Sequence, residues 1–96
     1  MYLVVILANH NIQLKIDDLK LYTTFQTVKQ MINRQLSAHE DHVLQHLEVD
    51  FMILPTKYLH LNLTLKDYNI QNGQKITAYL QHNSRPVHLL RKQTKI

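Results

Sequence analysis

The sequence predicts an α+β domain, a mixed four- or five-stranded sheet packed on one α-helix. Three observations carry that expectation. Two apolar, β-branched segments stand at the N-terminus with only Asn9-His10-Asn11 between them. A single amphipathic segment of helical period follows, and further strand-like segments then return at 49–54, 57–63 and 75–80. One helix supplies one crossover, too few for a doubly wound sheet but enough to lay a late strand parallel to the first.

Residues 2–8 form a continuous apolar run, the pattern of a central strand with little exposure. Asn9-His10-Asn11 is turn chemistry, because Asn tolerates the left-handed backbone region. Ile12, Leu14 and Ile16 then alternate with Gln13, Lys15 and Asp17, as in a half-buried strand. The alternation slips at Asp17-Asp18 and resumes out of phase with Leu19 and Leu21, which predicts a bulge or bend. Thr23 and Thr24 are candidate N-caps, and Thr23-x-x-Gln26 has capping-box spacing. Phe25, Val28, Ile32 and Leu36 recur at three- and four-residue steps, so a helix is expected over 24–37 with Lys29, Gln30, Asn33 and Arg34 opposite. Ser37 to His46 reads as loop or a further helical turn. Val49 to Leu54 is stopped by Pro55, Lys57 to Leu63 alternates, and Asn72-Gly73 marks a turn before Lys75 to Leu80. This order is that of a β-grasp, a sheet holding one helix across one face.

Two stretches carry a resemblance to known proteins. Thr64-Leu65-Lys66-Asp67-Tyr68-Asn69-Ile70-Gln71 is similar to ubiquitin's T-L-S-D-Y-N-I-Q, with Lys66 the one difference. Thr24-Phe25-x-x-Val28-Lys29-x-x-Ile32 resembles the opening of ubiquitin's helix, T-I-x-x-V-K-x-x-I. A narrower resemblance is to the bacterial ubiquitin-like YukD/EsaB group, associated with type VII secretion. It rests on Met1-Tyr2, on Asp18-Leu19-Lys20-Leu21, and on Leu65-x-Asp67-x-x-Ile70-x-x-Gly73-Gln74-x-Ile76. The chain departs from that group at Gln74, where an acid is usual, and in the extra segment 82–96. The resemblance implies a ubiquitin-like domain over 1–81 that docks onto a cytoplasmic component of a type VII secretion system. Ubiquitin-like conjugation and sulfur carriage use a terminal Gly-Gly. This sequence ends Gln93-Thr94-Lys95-Ile96 and its one glycine is internal, so a non-conjugated protein is expected.

Composition narrows the function classes. Apolar residues make up 45% and charged residues 19%, the balance of an ordinary globular protein. With no cysteine, a disulfide framework, a thiolate metal site and a cysteine nucleophile are all excluded. No run approaches the length of a membrane-spanning helix, and Met1 to Ala8 lacks the basic start and cleavage site of a leader. A cytoplasmic location is expected. The net charge of +4 resides wholly in Arg85, Arg91, Lys92 and Lys95, because residues 1–81 hold seven basic and seven acidic side chains. Residues 82–96 therefore read as a basic C-terminal tail, expected to be flexible. Its Leu89 and Leu90, with those four cations, form the candidate partner-binding segment. It contains no aromatic residue for a base to stack on, so a protein is the expected partner and nucleic acid is not. The rival reading is a stand-alone ubiquitin-like adaptor whose basic tail binds nucleic acid or an acidic surface.

His39-Glu40-Asp41-His42-x-x-x-His46 invites a metal or a pH-sensitive loop, since His42 and His46 lie one helical turn apart. It is not the H-E-x-x-H zinc motif, and a solvated connecting segment is the expected reading. No metal, cofactor or small-molecule substrate is expected. Catalysis would need a nucleophile beside a base, and neither Ser37 nor Ser84 has one by pattern. Asp67 beside Tyr68 reads as a turn or cap residue. No enzyme is expected. Ubiquitin-like domains commonly bind partners on the open sheet face. Among Tyr58, Leu59, Leu61 and Leu63, strand parity does not divide patch from core, and most are assigned to the core.

Overall fold

In the first strand, β1 (Leu3–Leu7), Leu3, Val5 and Leu7 are buried while Val4 and Ile6 are half-buried on the other side. The apolar run thus touches both faces of a sheet, but only one face is sealed. The computed structural model describes residues 1–83. Asn9 and Asn11 take the left-handed conformation expected of them, with φ of 69° and 53°, and turn the chain into β2 (Ile12–Ile16). Next come α1 (Phe25–Ser37), the one-turn α2 (His42–Gln45), β3 (Leu47–Leu54) and β4 (Lys57–Tyr58). A 3-10 turn at Lys66–Tyr68 precedes β5 (Gln74–His82), which runs one residue past the boundary set at 81.

The five strands lie in the order β2-β1-β5-β3-β4. β1 and β5 are parallel, in register from Leu3↔Gln74 to Leu7↔Ala78, and every other pair is antiparallel. The sheet is mixed because β5 reaches β1 by the crossover that α1 begins. Phe25, Val28, Ile32 and Leu36 of α1 are all fully buried, against Val5, Ile16, Val49, Met52, Ile76 and Ala78 of the sheet. This is the α+β, β-grasp arrangement that the sequence predicts.

Two local expectations need correction, at the helix start and at 57–63. The helix is capped by Thr24, not by a Thr23–Gln26 box: Thr24 Oγ1 accepts from Thr27 N at 3.4 Å. Thr23 is held elsewhere, its Oγ1 accepting from Lys20 N and its carbonyl from Leu65 N, both at 3.0 Å. The bend expected at the slip after β2 is present: Asp18 takes φ of 61°, Leu19 turns into the core, and Leu21 stays 51% exposed. The alternation at 57–63 yields only two residues of strand. Leu59 N still donates to Met52 O, but the carbonyls of Leu61 and Leu63 then accept from Gln26 N and Phe25 N at 2.9 and 3.0 Å. A segment with strand-like pattern here satisfies the orphan N–H groups of the helix start.

The segment that resembles ubiquitin is a local lock. Thr64 N and Oγ1 donate to Asp67 Oδ2 at 2.8 and 2.9 Å, and Asp67 N donates back to Thr64 Oγ1 at 3.2 Å. The backbone hydrogen bond from Thr64, followed by its hydroxyl, holds the Asp67 carboxyl below the usual aspartate value. Asp67 is therefore the turn residue expected. Tyr68 packs edge-on against Phe25 with ring centroids 5.5 Å apart, and its hydroxyl accepts from His60 N at 2.9 Å. Gly73 has φ of +80° and donates to Tyr2 O at 2.8 Å, while Asn72 Oδ1 accepts from Tyr2 N at 2.9 Å. The Asn72-Gly73 turn thus fixes the start of β1.

Candidate protein-docking face

Strand parity sends one set of side chains under α1 and the other to the open face. On β5, Ile76 and Ala78 are buried beneath the helix, so Lys75, Thr77, Tyr79 and Gln81 lie on the open side. The pairing register builds rows across that side. Lys15, Val4 and Lys75 form one row; Gln13, Ile6, Thr77, Ile53 and Tyr58 form the next. Tyr79 and Phe51 form the third, and Gln81 with Glu48 ends the face.

The centre of this face is apolar and aromatic. Phe51 stacks on Tyr79 with centroids 4.7 Å apart and planes at 13°, and leans on Tyr58 at 5.2 Å and 49°. Tyr58 is 65% exposed, and Phe51, Ile53 and Tyr79 are only half-buried. Phe51 thus holds a tyrosine ring on either side, on a sheet face that the described residues leave open, and packed rings of this kind cost little side-chain entropy when a partner settles on them.

A bulge creates the arrangement. The β3–β5 register shifts between Val49 and Phe51, leaving Asp50 exposed and unmatched. Val49 and Met52 then both enter the core, three residues apart, and Phe51 and Ile53 are turned outward. The apolar run 49–54 gave no sign of two faces except Asp50 itself, a charge inside a hydrophobic strand. Phe51, Ile53, Tyr79, Val4 and Ile6 were not picked out by the sequence reading. Of the four residues compared there, Leu59 is buried, Leu61 packs on the core and Leu63 is 39% exposed, which leaves Tyr58 on the open face.

The edges of the sheet are less open than its face. Gly73 N donates to Tyr2 O and Ala8 N to Ala78 O, so even-numbered residues of β1 turn their backbone toward β5 and odd-numbered ones toward β2. In β2 that leaves Gln13 and Lys15 facing outward. Gln35 of α1 reaches over and donates to Lys15 O at 3.0 Å. On the far side, Asn33 Oδ1 accepts from Val49 N of β3 at 2.7 Å. Gln35 thus occupies a backbone group of the edge strand β2 that an added strand would use, and Asn33 ties the helix to β3.

The histidine segment is tied into local structure. His39 Nδ1 accepts from Asp41 N at 3.0 Å, and His39 O from Gln45 Nε2 at 2.6 Å. Asp41 caps α2 by accepting from Val43 N at 2.9 Å, and His46 is the C-cap residue. Among the described residues, no three histidine or acidic side chains converge as metal ligands do. Ser37 Oγ donates to the carbonyls of Asn33 and Arg34 at the helix end, at 3.2 and 3.1 Å. Among the described residues, no helix is long and apolar enough to cross a membrane. Ser84 and the candidate partner-binding residues Arg85, Leu89, Leu90, Arg91, Lys92 and Lys95 lie outside the described residues.

A scan against models of known protein families finds no match to the chain, and a search of curated proteins finds none.

Proposed function

We propose that this protein is a non-catalytic, non-conjugated ubiquitin-like accessory protein that docks onto a protein partner through its open sheet face. The observation that carries the reading is the Phe51, Tyr58 and Tyr79 cluster, two tyrosine rings packed on Phe51 on the side opposite α1. Large apolar side chains in such a group are what protein interfaces are built around. The occupied backbone carbonyl of Lys15, on the edge strand β2, favours the face over strand addition.

The partner we propose is a cytoplasmic component of a type VII secretion system, with the basic segment 82–96 contributing to the contact. Support comes from the residues shared with the YukD/EsaB group, several of which have defined structural duties. Asp18 holds the left-handed bend, Leu19, Leu65, Ile70 and Ile76 are buried, and Gly73 makes the turn against Tyr2. Affinity capture from the native host, with the full chain and with a chain lacking 83–96, tests this. Recovery of a secretion-machinery component by the full chain, reduced without 83–96, is expected. Recovery of nucleic acid alone would instead favour the stand-alone adaptor.

A further inference from the structure

We propose that the open face also pairs with the same face of a second copy of this chain, about a two-fold axis lying between the sheets and running across the strands. The inference rests on the reading of this face as a docking surface and supplies a further occupant for it. A two-fold contact requires a patch complementary to itself. The division of charge on this face meets that requirement.

Lys15 and Lys75 flank Val4 at one end of the face, and Glu48 stands beside Gln81 at the other, with exposed Asp50 at the bulge. From Lys75 to Gln81 along β5, at about 3.4 Å per residue, the two ends are roughly 20 Å apart. Lys15 is partly committed, 3.6 Å from Asp17 and 4.8 Å above the Tyr2 ring. Lys75 and Glu48 have no ion-pair partner among the described residues.

Turning a second copy over about that axis lays β5 on β5 with the strand directions reversed. The basic end of each copy then covers the acidic end of the other, and the contact is made twice. The apolar rows meet between them, with the Tyr79–Phe51 row of one copy on the Thr77–Ile53 row of the other. The unreversed stacking would set Lys75 against Lys75. Five strands at about 4.8 Å spacing give a face on the order of 400–500 Å². This falls short of the ~800 Å² per side of a standard stable interface, so the pair is weak and governed by concentration. While it forms, Phe51 is covered, and self-pairing competes with the partner.

Sedimentation equilibrium on the full chain tests the pairing. The average mass should climb above the 11.4 kDa monomer as concentration rises from roughly 10 µM to 1 mM. Lys75→Glu and Glu48→Lys should each hold the mass at the monomer value, because each sets like charges opposite one another. Lys75→Glu combined with Glu48→Lys should restore association. A monomer mass at every concentration overturns the proposal and leaves docking of another protein on Phe51 untouched. Association that ignores the single exchanges, or a combined variant that fails to recover, overturns it as well.

Discussion

Asn33 on α1 and Val49 on β3 are joined by a 2.7 Å hydrogen bond in which the side-chain oxygen accepts from the backbone N–H. Two residues further on, Gln35 reaches the opposite edge of the sheet at Lys15 O. The helix therefore fills the core with one stripe and holds both sides of the sheet with its flanks. The arrangement also leaves the face opposite α1 open among the described residues.

Asn33→Ala should destabilise the fold by about 1–3 kcal/mol, because a partly buried N–H loses its acceptor. Asn33→Asp keeps an oxygen there and should lose less. Urea denaturation checks both, and an unchanged midpoint for the alanine variant would show that the bond contributes nothing.

Ile32 is fully enclosed between α1 and the sheet. Ile32→Ala should lower stability by about 2–5 kcal/mol through lost burial and a residual cavity. Calorimetry measures the loss. A change well under that range would mean that the core is loosely packed at this point.

Asp67 titrates below its ordinary value in the folded chain because Thr64 donates to it twice. Its contribution to stability is therefore present above the unfolded aspartate pKa of about 3.9 and is lost as pH falls through the lower folded value. Thermal midpoints of the unmodified chain and Asp67→Asn should differ at pH 6 and converge in strong acid. A gap that stays constant across that range would remove the carboxylate from the account.

Gly73 has φ of +80°, and an added Cβ would stand 2.9 Å from Tyr2 Oη. Gly73→Ala should be destabilising by more than roughly 1 kcal/mol. The loss should be smaller in a Tyr2→Phe background, where the nearest atom is gone. Equal losses in the two backgrounds would leave backbone strain as the whole effect.

Much of this architecture is legible in the chain because it follows from periodicity. Phe25, Val28, Ile32 and Leu36 mark the buried stripe of α1, and Ile12, Leu14 and Ile16 mark the inner face of β2. Legibility fails where tertiary contacts override local pattern. Leu61 and Leu63 alternate like a strand, yet their carbonyls serve the helix start. Thr23 has the spacing of a capping box, yet its hydroxyl and carbonyl are already engaged by Lys20 and Leu65. The aromatic cluster of the open face was hidden for a related reason. A single unmatched residue, Asp50, decides which of Val49, Phe51 and Met52 point outward, and alternation across an apolar run carries no record of that shift.

The central claim is that partners settle on the open face around Phe51. Its most direct test is an amide and side-chain NMR titration of the ¹⁵N-labelled full chain with the protein captured from the host. Shifts concentrated at Val4, Ile6, Phe51, Ile53, Tyr58, Thr77 and Tyr79, and abolished by Phe51→Ser, are the expected result. Shifts gathered instead on the solvent side of α1, around Lys29, Gln30 and Arg34, would contradict it.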